Sequence, residues 1–133
     1  MSIMSPKDLI LKTNRAIESA QLLLDAGDID GACNRAYYAM LDAAKAALLK
    51  TVPDGDPTVG KTHSGVISAF GLHLVKTGLV PVEFGRAFNR AHDIRQVADY
   101  TGDLIEVEQV DSLITQASEF VEWINCQVIS IPN

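Results

Sequence analysis

His92, Arg95 and Asp99 follow one another at steps of three and four residues. On a helix that spacing puts all three on one face. Such a face suits phosphate binding. A guanidinium offers fixed N–H donors matched to phosphate oxygens, and Asp99 can hold it in place. An Arg–Asp bridge that only ties a helix end to its neighbour is the alternative. Tyr100 follows directly. Arg35, Tyr37 and Tyr38 make a second group. Adjacent helical residues diverge by about 100°, so one tyrosine can pack while the other presents its hydroxyl elsewhere. A buried phenol needs a hydrogen-bond partner, and core packing with satisfied hydroxyls is the alternative reading. Thr62 and His63 are the third group. At the start of a helix the dipole pushes a histidine's pKa down and keeps the ring neutral. That would suit a general base; a surface histidine in a capping turn is the other reading. His73 stands alone and draws no assignment.

These groups need helices to hold them. The stretch from Asp30 to Leu49, DGACNRAYYAMLDAAKAALL, is apolar around most of its circumference, which marks a helix packed on several sides. Arg35, Tyr38, Asp42 and Lys45 form one polar stripe along it, and its many alanines let neighbours approach closely. This is the expected hub. Before it, Ser5-Pro6-Lys7-Asp8 reads as a helix start, with Ile10, Ile17, Ala20 and Leu24 at helical spacing and Gly27 as the stop. Asp28 or Asp30 caps the hub. Thr51 to Gly60 has loop composition and is the stretch expected to flex. Thr62 caps a third helix carrying Val66, Ile67, Phe70, Leu74 and Val75, ended by Gly78. Pro81 opens a fourth, with Phe84, Phe88, Ala91 and Val97 or Ala98 for packing, ended at Thr101-Gly102. A fifth runs from about Glu106 to Val128.

Nothing reads as a strand. Short connections favour antiparallel neighbours. The expected fold is all-α: an antiparallel up-and-down bundle of four long helices, or five in total, forming one domain over residues 1–133. The two cysteines are far apart and fit neither a zinc site nor a disulfide framework. The first residues do not read as a signal peptide, and no segment is apolar for long enough to span a membrane. A cytoplasmic protein is expected. The net charge of −6 is uneven. Arg95 is the last basic residue, and seven acids follow it. An acidic total argues against sequence-blind nucleic-acid binding, yet Arg86, Arg90 and Arg95 can still make a local basic cleft. The acidic end reads as a solvated helix face or a dock for a basic partner. Phosphate loops, HExxH, CxxC and nucleophile elbows are absent from the sequence. No cofactor and no metal site is expected.

Three runs, in order, resemble the HEPN superfamily: NRAYYAMLDAAKAALL (34–49), KTHSGV (61–66) and RQVADY (95–100). The resemblance is to small stand-alone HEPN proteins and covers roughly residues 8–125. It implies an all-α bundle, a homodimer and toxin–antitoxin pairing with a minimal nucleotidyltransferase. Active members are metal-independent ribonucleases. Their signature is an arginine followed, after four to six intervening residues, by a histidine, and the dimer brings these groups into one cleft. Arg95 matches that arginine. The histidine has no counterpart, because Tyr100, Thr101 and Gly102 occupy its positions. The resemblance thus makes Arg95, Asp99, Tyr100 and His63 the catalytic candidates, with Arg35, Tyr38, His92 and Arg90 as RNA contacts. A non-catalytic module that binds a nucleotidyltransferase or a nucleotide is the alternative function.

Overall fold

The computed structural model describes residues 4–52, 62–98 and 105–132. Helix α1 spans Pro6–Asp25. Its start is fixed by a reciprocal cap: the Asp8 N–H donates to Ser5 Oγ and the Ser5 N–H donates to Asp8 Oδ2, both at 3.1 Å. These two bonds to Ser5 hold the Asp8 carboxyl below its usual pKa. Gly27, at φ 90°, ends the helix in the left-handed conformation that glycine adopts without strain. Helix α2, the hub, spans Ile29–Thr51, and the Gly31 N–H donates to its cap, Asp28 Oδ1, at 2.9 Å. Helix α3 spans His63–Phe70, with Thr62 Oγ1 accepting from the Gly65 N–H at 2.9 Å. The chain then widens into a turn over Gly71–Val75, where the Lys76 N–H reaches back five residues to Gly71 O. Helix α4 spans Val82–Gln96. Helix α5 spans Val107–Ile124 and passes into a second wide turn, Asn125–Ile129.

The long helices α1, α2, α4 and α5 form an antiparallel up-and-down bundle, with short α3 as the fifth. The pairing directions follow from contacts. Lys12 of α1 meets Asp42 of α2. Asn34 and Tyr37 of α2 meet Arg95 and His92 of α4, so late α4 lies beside early α2. Phe84 of α4 stacks with Trp123 of α5, while Arg90 meets Gln116. Among the described residues there is no strand, and no helix is long and apolar enough to cross a membrane.

The hub packs against all four other helices. Ala32, Ala36, Ala39, Ala43, Ala46 and Ala47 are all fully buried, and their small side chains allow that crowding. A second part of the core is aromatic. Phe70, Phe88 and Phe120, one each from α3, α4 and α5, meet at ring centroid distances of 5.5–5.6 Å. Gly85 lets α4 close on the turn after α3: a Cβ there would stand 3.1 Å from Val75 Cγ2.

The sequence stripe on α2 is divided between neighbours. Asp42 is buried and pairs with Lys12 at 3.4 Å, whereas Tyr38 faces His63 of α3. Of the two packing choices just after α4, Ala98 packs against the core and Val97 is exposed. The expected loop begins one residue late, since Thr51 still belongs to α2. Residues 53–60 and the expected stop at Thr101-Gly102 lie outside the described residues.

Candidate functional site

The aromatic core leads to a polar cluster. Phe88 of α4 packs on Tyr37 of α2, with ring centroids 6.3 Å apart. Tyr37 is fully buried and stands at the centre of the cluster. Tyr38 meets it edge-on at 5.5 Å. His63, the first residue of α3, lies 5.7 Å from the Tyr37 ring and 5.3 Å from the Tyr38 ring. His92 of α4 lies 5.6 Å from the Tyr37 ring, and its Nδ1 is 3.3 Å from the Tyr37 hydroxyl.

Arg95 occupies the corner between the two tyrosines, its Cζ 5.2 Å from one ring centroid and 5.3 Å from the other. Both distances suit a cation–π contact. Arg95 Nε donates to Asn34 Oδ1 at 3.2 Å, and its Nη1 is 3.4 Å from His63 Nδ1. A guanidinium only donates, so that bond requires a lone pair on Nδ1 and puts the proton of the neutral ring on Nε2.

The electrostatics agree with a neutral His63. Its pKa is lowered from the usual 6.5, first by burial, then by its basic neighbours Arg95, Lys45 and His92, against an opposing pull from Asp42. The expectation of a lowered pKa holds, with burial and neighbouring cations as its causes. Burial pushes the Tyr37 phenol up to about 12, outweighing the opposite effect of Arg95. It stays protonated at neutral pH.

Of the residues singled out in the sequence, Arg95, His63, His92 and Tyr38 are brought together. Arg35 is half-buried one turn earlier on α2 and, among the described residues, makes no hydrogen bond or ion pair with the cluster. Arg90 lies on another side of α4: its Nη2 donates to Gln116 Oε1 of α5 at 3.4 Å, and it lines a cavity of about 180 Å³ with Ile94, Gln109, Ser112, Leu113 and Gln116. Arg86, Arg90 and Arg95 therefore do not form one cleft. Asp99 and Tyr100 lie outside the described residues. Asn34 was not anticipated, nor was Tyr37 as the partner of His92. The signal was present in the spacing, since Asn34, Tyr37 and Tyr38 stand at i, i+3 and i+4 on the hub. Among the described residues no three of His, Cys, Asp and Glu gather as a metal ion would need.

Comparison with known proteins places this geometry in context. The HEPN domain model matches residues 6–127. A UPF0332 protein of Gloeobacter violaceus is 34% identical over 87% of this chain and 90% of its own length. The Methanocaldococcus jannaschii protein named "Putative toxin MJ0605" is 36% identical over 81% of this chain and 77% of its own. A UPF0332 protein of Thermotoga maritima is 35% identical over 85% of this chain and 83% of its own.

Proposed function

The chain belongs to the HEPN family, and on that premise we propose that it is a toxin-type protein that engages RNA at the Arg95 cluster and cleaves it without a metal ion. The observation that carries this reading is the 3.4 Å approach of Arg95 to His63 across α3 and α4. It puts a phosphate-binding cation beside an imidazole kept neutral, although the family's usual histidine position is empty of histidine. The reaction is attack of a ribose 2′-hydroxyl on the adjacent phosphate. It needs a cation to hold the phosphate oxygens and a base for the 2′-hydroxyl proton. Arg95 supplies the first. When its N–H turns to phosphate, His63 Nδ1 is released with its lone pair available, so substrate binding itself exposes the base. Asn34 keeps the guanidinium oriented through Nε. Tyr38, half-buried beside both groups, offers a ring face to an unstacked base. Arg35 extends the positive charge along α2.

The test is RNA cleavage by purified protein with EDTA present throughout, with Arg95→Ala and His63→Ala alongside. The expected result is a loss of about 100-fold or more in each variant, and wild-type products ending in 2′,3′-cyclic phosphate. Wild-type cleavage no faster than that of an equally folded Arg95→Ala protein would sink the reading.

A cytoplasmic homodimer uniting two such clusters, with a minimal nucleotidyltransferase as antitoxin, belongs to the same proposal and rests on the family resemblance alone. Light scattering tests the dimer and a pull-down tests the partner. One observation favours a non-catalytic docking role in addition. Glu108, Asp111, Glu119 and Glu122 are exposed on α5, in the part of the chain that has no lysine or arginine. A basic partner docked there should release as salt is raised. Complex formation indifferent to salt would exclude that surface.

A further inference from the structure

The cleavage reaction has two proton transfers, and Arg95 with His63 accounts for one. Attack of the 2′-oxygen forms one P–O bond and breaks another. The 5′-oxygen that leaves needs a proton, because an alkoxide is a very poor leaving group. The cluster holds a second imidazole. His92 precedes Arg95 by three residues on α4 and so shares its face. Its ring lies as close to Tyr37 as that of His63 does, 5.6 Å against 5.7 Å. It is half-buried, and its Nδ1 is 3.3 Å from the Tyr37 hydroxyl.

The choice of a hydroxyl matters. A hydroxyl donates as well as accepts. It can give its hydrogen to Nδ1 of the neutral ring or accept one from the protonated ring. The bond therefore survives in both states of His92, and the opposite nitrogen, Nε2, is left to exchange a proton. The Tyr37 phenol does not ionise near neutral pH, so it serves as a fixed holder and takes no part as a base. Among the described residues of the cluster, Tyr37 from α2 contacts His92, His63 from α3 is electrostatically coupled to it, and Arg95 follows it by three residues on its own helix. A phosphate bound against Arg95 offsets the repulsion among the cations.

We propose that His92 is the general acid of the cleavage, with Tyr37 as its positioning residue. This rests on the ribonuclease reading of the same cluster. His63 takes the proton from the 2′-oxygen as the new 2′-O–P bond forms. The P–O5′ bond breaks, and the departing 5′-oxygen takes its proton from His92 Nε2. The products are a 2′,3′-cyclic phosphate and a 5′-hydroxyl. One proton has passed to His63 and one has left His92, and exchange with solvent restores both rings.

The test compares two substrates: an RNA dinucleotide, and a uridine 3′-phosphate esterified with 4-nitrophenol, whose leaving group departs as its anion and needs no acid. His92→Ala should lose about 100-fold or more on the dinucleotide and stay within about threefold of wild type on the nitrophenyl ester. Tyr37→Phe should show the same split on a smaller scale, about tenfold against no change. His63→Ala should lose both activities, since the base is needed with either leaving group. Retained activity on the ester shows in itself that the variant is folded. Equal loss on both substrates in His92→Ala, with wild-type cleavage intact, overturns the assignment of His92 and leaves the ribonuclease reading standing. No cleavage of either substrate by wild type overturns both.

Discussion

Two seams meet at the hub helix, and they are built on opposite plans. The seam between α1 and α2 is apolar, with Ala16 and Ala20 on α1 fully or almost fully buried along with the larger Leu9 and Ile10. Its polar content is settled locally: Thr13 Oγ1 donates to Ile10 O at 2.7 Å, and Asp42 has Lys12 at 3.4 Å. The seam between α2 and α3–α4 holds two tyrosines, two histidines, an asparagine and an arginine in mutual contact. Close-packed alanines would be the more economical filling for both. Desolvating polar groups costs free energy unless every one is partnered. A seam that keeps so many polar groups partnered with one another, on a helix otherwise lined with alanine, is where a ligand should be sought. The α1 seam holds the bundle together, and the α3–α4 seam is the one to which our proposal assigns the chemistry.

The sharpest way to break this comparison is Arg95→Ala. Cleavage should fall by about 100-fold or more, while stability falls by only about 1–2 kcal/mol for the lost hydrogen bonds and cation–π contacts. Denaturant unfolding beside the RNA assay reads both. An unfolded variant would make the cluster structural and erase the contrast. Next comes the other seam. Ala20→Leu forces about three further heavy atoms into a fully buried position and should cost about 1–3 kcal/mol, with activity per folded molecule unchanged. A selective loss of activity there would show the two seams to be coupled. Tyr37→Phe should be milder for stability, about 1 kcal/mol, because only the hydroxyl bond to His92 is removed.

The smallest effect is a pH slope. His63 has a lowered pKa in the fold, so as pH falls the unfolded chain binds the proton first. Its contribution to stability is complete above about 6.5, declines as pH falls from there to the folded-state pKa, and is level below it. Thermal unfolding between pH 7.5 and 5.5 should show a steeper decline for wild type than for His63→Gln. Equal slopes would remove His63 from the desolvated part of the seam.

The local features of the fold were legible in the chain because their causes are local. Ser5 with Asp8, Asp28, Thr62 and Gly27 act within three or four residues of themselves, so reading the residues was enough to place the helix ends. The hub was legible from its composition. The site was legible only in part. His92 and Arg95 share a helix, so their common face follows from spacing. That His63 would reach Arg95 does not follow, since it depends on how α3 lies along α2, with packing partners far apart in sequence. Arg90 shows the reverse difficulty: five residues from Arg95, it turns to α5, and charge alone cannot tell those two directions apart. Tyr37 looked like packing and is buried as packing should be, but its hydroxyl found His92 across 55 positions of chain.

The corner that holds Arg95 bears on the thermodynamics of encounter as well as on charge. A free arginine side chain carries about 2 kcal/mol of rotamer entropy, which a surface arginine must give up when it grips a ligand. Here two rings and Asn34 have already restricted the guanidinium, so that ordering happens once, when the chain folds. A lysine in its place would keep the charge but not the planar fit between the rings. It would arrive at each phosphate still flexible.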